Sequence, residues 1–223
     1  MTSEEIRTGF RENLQRVRRL VENYEVLKDY PSQGRASVER SDILRAAVVL
    51  LYAALEDLLR MIDRETLRAS RFEILSRTRV PREVLDSIRL SDLEAYRHRT
   101  CDELIQMKTG KSIKTLASDA LDARILESEN KNYTHPGHIE HMLEQRGFPA
   151  SLLHPHRNDL GAMASRRHRI VHKADANHEL GKGHHKTRSL GRSVVESWYN
   201  SVQQFGDALI SAHEARQNHA GDA

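Results

Sequence analysis

Six residues between positions 165 and 175 carry groups that move protons or hold phosphate: Arg166, Arg167, His168, Arg169, His172 and Lys173. An imidazole titrates near neutrality, so histidine accepts and returns protons at physiological pH. A guanidinium fork grips phosphate oxygens and stabilises charge that grows on them. Together these groups suit cleavage of an RNA phosphodiester, where the 2′-hydroxyl is the nucleophile, no metal ion is required and DNA is inert. Single-stranded or looped RNA is the fitting substrate, because its bases must splay for in-line attack. The competing reading is a solvated basic helix end, since cations are favourable beside unpaired terminal carbonyls.

Arg167 and His172 are five residues apart and point roughly 140° from each other on a regular helix. A site using both needs a helix that unwinds before His172, or a second copy of the motif laid against the first across a two-fold axis. His168 and His172, at i and i+4, share a face and offer the start of a zinc site. His154 and His156, or His184 and His185, would have to complete it. Zinc asks for three or four ligands in fixed geometry, and no cysteine or carboxylate stands at a supporting spacing. His135, His138 and His141 read as decoration of a surface helix.

The element that must present the cluster is helical from about residue 159, with Leu160 and Met163 at helical spacing, and ends near His172. Upstream, residues 3–30 form an amphipathic helix with Ser3 as N-cap and Ile6, Phe10, Leu14 and Val17 on its apolar stripe. Pro31 ends it. Ser41 caps a second helix over 42–65 that is apolar nearly all round, which predicts a buried central helix. Its few polar residues, Arg45, Tyr52, Glu56 and Arg60, fall on one narrow stripe. Burying charge without partners is costly, so the stripe faces either a self-paired Arg45/Glu56/Arg60 network or a wet cleft.

Further helices are predicted over 81–88, 93–107, 112–125 and 137–145, with a turn over 130–136. A polar, glycine-containing loop over 177–188 leads to a last helix over 189–215, apolar through Val195, Trp198, Val202 and Phe205. No strand pattern and no internal repeat occurs. The expectation is a single all-α domain over 1–223, its core formed by about 1–65 and 150–216, with a helical insertion over about 66–150.

A chain of 223 residues buries a full core. Its 35 basic and 32 acidic residues leave a net charge of +3 with histidines neutral, so affinity for nucleic acid must come from local clustering. No apolar run is long enough to span a membrane, and no signal-peptide pattern opens the chain. The lone Cys101 excludes an internal disulfide, and the whole fits a reducing cytoplasm.

Arg167-His168-Arg169-Ile170-Val171-His172 resembles the Arg-x4–6-His motif of the HEPN superfamily, including the polar residue that follows its arginine. The run Ser41-Asp42-Ile43-Leu44-Arg45-Ala46-Ala47-Val48-Val49-Leu50-Leu51, continuing to Ala54-Leu55-Glu56-Asp57-Leu58-Leu59-Arg60, resembles the long first core helix of its RiboL-PSP-linked branch. The two segments stand in the family's order, about 110 residues apart. This resemblance implies an all-α HEPN-like helical bundle, usually a two-fold homodimer. It often implies a metal-independent endoribonuclease of toxin–antitoxin or phage-defence systems, without a cofactor.

Carried over by residue, the resemblance implies that Arg167 and His172 are catalytic and that His168 and Glu56 support them. The neighbouring cations Arg166, Arg169 and Lys173 are the candidates for holding RNA. Where such a toxin is silenced by nucleotidylation, a tyrosine stands two residues past the histidine; here that residue is Ala174. Other partners implied are a second copy of the chain and an antitoxin or co-encoded protein, with no membrane. Two further classes stay open: a non-enzymatic HEPN module that binds RNA, nucleotide or protein, and an antitoxin or immunity protein that masks its partner. The intact Arg-x4-His favours the enzyme.

Overall fold

Thr2 opens the first helix. Its hydroxyl accepts from the Glu5 amide at 3.2 Å, while the Glu5 carboxylate accepts from the Thr2 amide at 2.6 Å. This reciprocal pair is a capping box, and it holds the Glu5 carboxyl below its ordinary pKa. The N-cap is therefore Thr2. Ser3, expected in that role, is buried and donates to Gln217 at 2.9 Å.

The computed structural model describes residues 1–28, 38–69, 106, 110, 113–176 and 187–221. The helices expected over 81–88 and 93–107, the loop over 31–37, most of the loop over 177–188, Cys101, His184 and His185 lie outside these residues. The described helices are α1 (Ser3–Lys28), α2 (Val38–Ala69), α3 (Ile113–Glu129), α4 (Pro136–Gln145), α5 (Arg157–Lys173) and α6 (Arg192–Gly221). Two short 3₁₀ turns, Ala150–Leu152 and His154–His156, join α4 to α5. Among the described residues there is no strand, only one isolated antiparallel bridge between Ala176 and Thr187. The all-α class is as expected.

The chain divides into two units, one of Met1–Asp63 with Asn132–Ala223 and one of Arg64–Lys131. In the first, α1 and α6 lie antiparallel. Arg7 pairs with Glu214 at 2.8 Å, Arg18 stacks over Tyr199, and Arg192 reaches Glu25 at 3.1 Å. Between these ties, Phe10 meets Gly206 at a point where α6 has no side chain to interpose. The apolar stripe of α1 (Ile6, Phe10, Leu14, Val17) is almost wholly buried, each such side chain contributing roughly 1.5–3 kcal/mol.

As its composition requires, α2 is the buried centre, with Leu44, Val48, Leu51, Leu55 and Leu58 almost or wholly inaccessible. It begins at Val38, so Ser41 lies inside the helix and does not cap it. There its hydroxyl accepts from Arg45 Nη1 at 2.6 Å. Residues from Asn132 onward also join the core: Tyr133, Ile139, Met142, Leu143 and Phe148 are all buried in the same cluster. The stretch 132–150, read from sequence as the end of an insertion, thus packs within the first unit. α4 starts on Pro136, whose missing amide costs nothing at a first helical position, and the ring Nδ1 of His135 accepts from the Gly137 amide at 3.1 Å.

The second unit holds the end of α2 and all of α3. Leu121 and Leu67 are buried in it, Arg64 reaches Glu129 at 3.6 Å, and the Ser128 hydroxyl donates to the Ile125 carbonyl at 2.7 Å.

Candidate active site at the end of helix α5

Helix α5 is anchored at its first turn, where Asp159 accepts from the hydroxyls of Ser197 and Ser201 on α6 at 3.1 and 2.6 Å. Leu160, Met163 and Ala164 turn its inner face into the core. From there it runs unbroken to Lys173, with His172 and Lys173 in its last turn. The unwinding before His172 that would bring Arg167 round to it does not occur. The two side chains stay roughly 140° apart on one regular helix.

The helix stops at Ala174 and Asp175, both left-handed with φ of 47° and 53°. Each non-glycine residue held there costs roughly 1–2 kcal/mol. The Asp175 amide donates back to the Arg169 carbonyl at 3.0 Å, which satisfies one of the orphaned carbonyls of the last turn.

Asp175 is the residue that sequence reasoning passed over. It is 1% exposed, and its Oδ2 accepts from Arg45 Nε at 2.8 Å and Arg166 Nη2 at 2.6 Å. Both guanidiniums continue to the Arg188 carbonyl, at 2.9 and 2.8 Å, and Arg166 also reaches the Ser189 carbonyl at 3.1 Å. Burial pulls the Arg166 guanidinium below the ordinary arginine pKa, against the opposing attraction of Asp175. A signal for this hub was present: a lone arginine in an apolar helix and a lone acid just past a basic run are each expensive to bury alone.

Arg166, expected to hold RNA, is therefore 8% exposed and committed to an internal ion pair. The physical reason is its helical phase, which turns it inward with Met163 while Arg167 and His168 turn out.

The polar stripe of α2 is paired, but with other elements more than with itself. Arg45 is spent on Asp175, and its eleven-residue separation from Glu56 is three turns of helix, far beyond contact. Tyr52 donates its hydroxyl to the Tyr133 carbonyl, and Glu56 accepts from the Tyr133 amide at 3.1 Å. Arg60 lies 4.0 Å from Glu56 and donates to Asn132 at 3.3 Å. Glu56 thus clamps the backbone ahead of α4, where it was expected to support the two catalytic groups. Burial, and then the nearby Glu56 carboxylate, raise the Tyr52 pKa well above the ordinary phenol value, so Tyr52 stays a neutral donor.

Over the outer face of Tyr52 lies Arg167, its guanidinium carbon 5.3 Å from the ring centroid. Tyr52, Thr134, Ser165, Arg167, His168 and Arg169 line a pocket of about 390 Å³. His168 and His172 are exposed one turn apart, with ring centroids 4.6 Å from each other, and Lys173 is exposed beside them. Arg167, His168 and Arg169 thus share one cavity, and His172 contacts His168 without lining that cavity. On the continuous helix Arg167 and His172 point to different sides.

Among the described residues, no three His, Cys, Asp or Glu side chains converge as a metal site would require. His168 and His172 remain a pair. His156 instead faces the Phe205 ring at 6.3 Å, and His141 contacts Gln145 at 2.9 Å. No described helix is long and apolar enough to cross a membrane.

Neither the curated proteins nor the solved structures compared with this chain hold a match to it. A family model described as RiboL-PSP-HEPN matches residues 12–214, a span that runs from the first turns of α1 to near the end of α6 and includes every residue of the pocket. The chain belongs to the RiboL-PSP-HEPN family.

Proposed function

We propose that this protein is a metal-independent endoribonuclease that cleaves single-stranded or looped RNA. Family membership points to a nuclease or RNA-binding module, and the observation that carries the finer reading is the seating of Arg167. Its guanidinium is held against Tyr52 at a pocket shared with His168, and the exposed imidazole of His172 lies beside that of His168. In the proposed reaction a neutral imidazole takes the proton of the 2′-hydroxyl, and the 2′-oxygen attacks phosphorus. A second, protonated imidazole returns a proton to the departing 5′-oxygen. Products are a 2′,3′-cyclic phosphate and a 5′-hydroxyl. Arg167 holds the non-bridging oxygens as charge grows on them.

Because α5 is continuous, Arg167 and His172 of one chain point roughly 140° from each other. Two-fold pairing of two copies, each α5 end against the other, supplies the missing partner groups. Arg169 and Lys173 then track the RNA backbone. A toxin or phage-defence effector is the role this activity fits, with an antitoxin or co-encoded protein as its natural control.

The test is incubation with total RNA in EDTA, with end-group analysis for the cyclic phosphate. Cleavage by the natural sequence and none by His172→Ala is the expected result. Cleavage that survives in His172→Ala removes the catalytic assignment.

The second reading is a module that binds RNA, nucleotide or protein without cleaving, and the roughly 140° separation of Arg167 from His172 favours it. It predicts RNA binding that His172→Ala leaves intact, with no cleavage by either form.

A further inference from the structure

Asp175 lies three residues past His172, and its side chain is inaccessible to solvent, so it cannot touch a substrate. Its contacts instead fix where the last turn of α5 sits. Through Oδ2 it joins Arg45 of α2 to Arg166 of α5. Through its backbone it joins the Arg169 carbonyl to the Arg188 amide, at 3.0 and 3.1 Å. One residue therefore ties the central helix, the end of the basic helix and the segment entering α6.

The chemistry of this arrangement is unusual for a device of stability alone. Two guanidiniums share one carboxylate oxygen, and the second oxygen, Oδ1, is buried with no hydrogen-bond partner among the described residues. Buried ion pairs of this kind contribute little net stability compared with apolar packing, and a gain in fixed geometry is the better-attested reason to retain them. What is fixed here is a helix end that would otherwise fray, since the last four carbonyls of a helix have no partners of their own. Ala174 and Asp175 both adopt left-handed backbone, which persists only when surrounding contacts over-determine it.

We propose that Asp175 is a positioning residue of the α5 site. Held between Arg45 and Arg166, it keeps the last turn wound so that His172 stays at a fixed height beside His168. Its effect on catalysis rests on the nuclease reading above, whereas its effect on the helix end does not.

The experiment compares the natural chain with Asp175→Asn, which keeps the shape and one acceptor but removes the charge. Arg166→Lys, which keeps the charge but cannot span Asp175 and two carbonyls, is the second variant. Amide exchange over residues 169–176 is expected to speed at least about tenfold in both, while protection in α1 and the buried half of α2 is unchanged. With an RNA substrate, kcat is expected to fall about 10- to 100-fold with KM within about twofold, the signature of a displaced group and not a lost binding contact.

Unchanged exchange over 169–176 in either variant overturns the proposal. So does altered exchange with an unchanged kcat. Loss of cooperative unfolding in both variants also overturns it, because Asp175 is then a scaffold residue. If the natural chain cleaves no RNA, the nuclease reading fails and the exchange measurement still decides what Asp175 does.

Discussion

The guanidinium of Arg167 rests on the ring of Tyr52, and the hydroxyl of that same ring is tied to the Tyr133 carbonyl. The ring is thus fixed from one edge and offers its face to the cation, a contact that contributes about 0.5–2 kcal/mol. Tyr52→Phe keeps the face and loses the tie, so it should lower the melting temperature while kcat stays within a few-fold of the natural value. Tyr52→Leu loses the face as well and should lower kcat about tenfold further. Steady-state cleavage kinetics beside thermal melts check this, and equal kcat values for the two variants would remove the positioning role of the ring.

If each active centre draws Arg167 from one copy and His172 from the other, two dead variants should complement. Arg167→Ala mixed with His172→Ala after subunit exchange leaves one intact centre in each mixed dimer. Activity of about a quarter of the natural level is then expected, since random pairing makes half the dimers mixed. A mixture as inactive as its components argues that both residues serve within one chain or that neither is catalytic.

A β-carbon placed on Gly206 would lie 2.4 Å from two ring carbons of Phe10 and 3.0 Å from Leu58. Gly206→Ala must therefore push α6 from α1, at a cost of about 1–3 kcal/mol despite the better helix propensity of alanine. Denaturant unfolding measures it. Shrinking the ring with Phe10→Leu in the same chain should recover part of the loss, and a fully additive double variant would show that the two residues do not meet.

His156 sits in the 3₁₀ turn ahead of α5, and burial lowers its pKa, with the Asp159 carboxylate opposing in part. A depressed pKa means that the unfolded chain binds the proton more readily than the folded one. Between the folded value and the ordinary value of about 6.5, stability therefore rises with pH, and above that window this contribution is level. The melting temperature should fall as pH is lowered from about 7.5 to about 5.5, and His156→Gln should flatten that fall. Parallel slopes for the two proteins would exclude His156 as a source of acid sensitivity.

Much of the fold was legible because helices advertise themselves through period. The stripe of Ile6, Phe10, Leu14 and Val17 and the all-round apolar α2 gave α1 and α2 their faces without tertiary information. Caps were less legible. Thr2 and Ser3 are both good N-cap types, and only the Thr2–Glu5 pair of bonds decides between them. Residues 132–150, read from sequence with the insertion, fall within the first unit, where their anchor is a backbone group, the Tyr133 amide on Glu56, and backbone partners leave no mark on composition.

Within the site, the motif residues could be named but their phases could not be sorted. Arg166, Arg167 and Arg169 are alike in type, yet one is buried on Asp175, one stacks on Tyr52, and one keeps its Nε buried without a hydrogen-bond partner among the described residues. Which of three neighbouring arginines turns inward depends on where α5 meets α2, and that is long-range information. The acid past the helix end was in view throughout. Its significance appears only once Arg45, 130 residues earlier, is found beside it.

The antiparallel pairing of α1 with α6 sets a condition on how this protein is made. A ribosome releases the first of these helices long before α6, so the nascent chain carries Ile6, Phe10 and Leu14 without their α6 cover until that helix has emerged. During that interval the exposed face is a target for holdase chaperones and for like faces on neighbouring polysomes. Expression at high ribosome density should therefore favour aggregation of incomplete chains over loss of the finished protein.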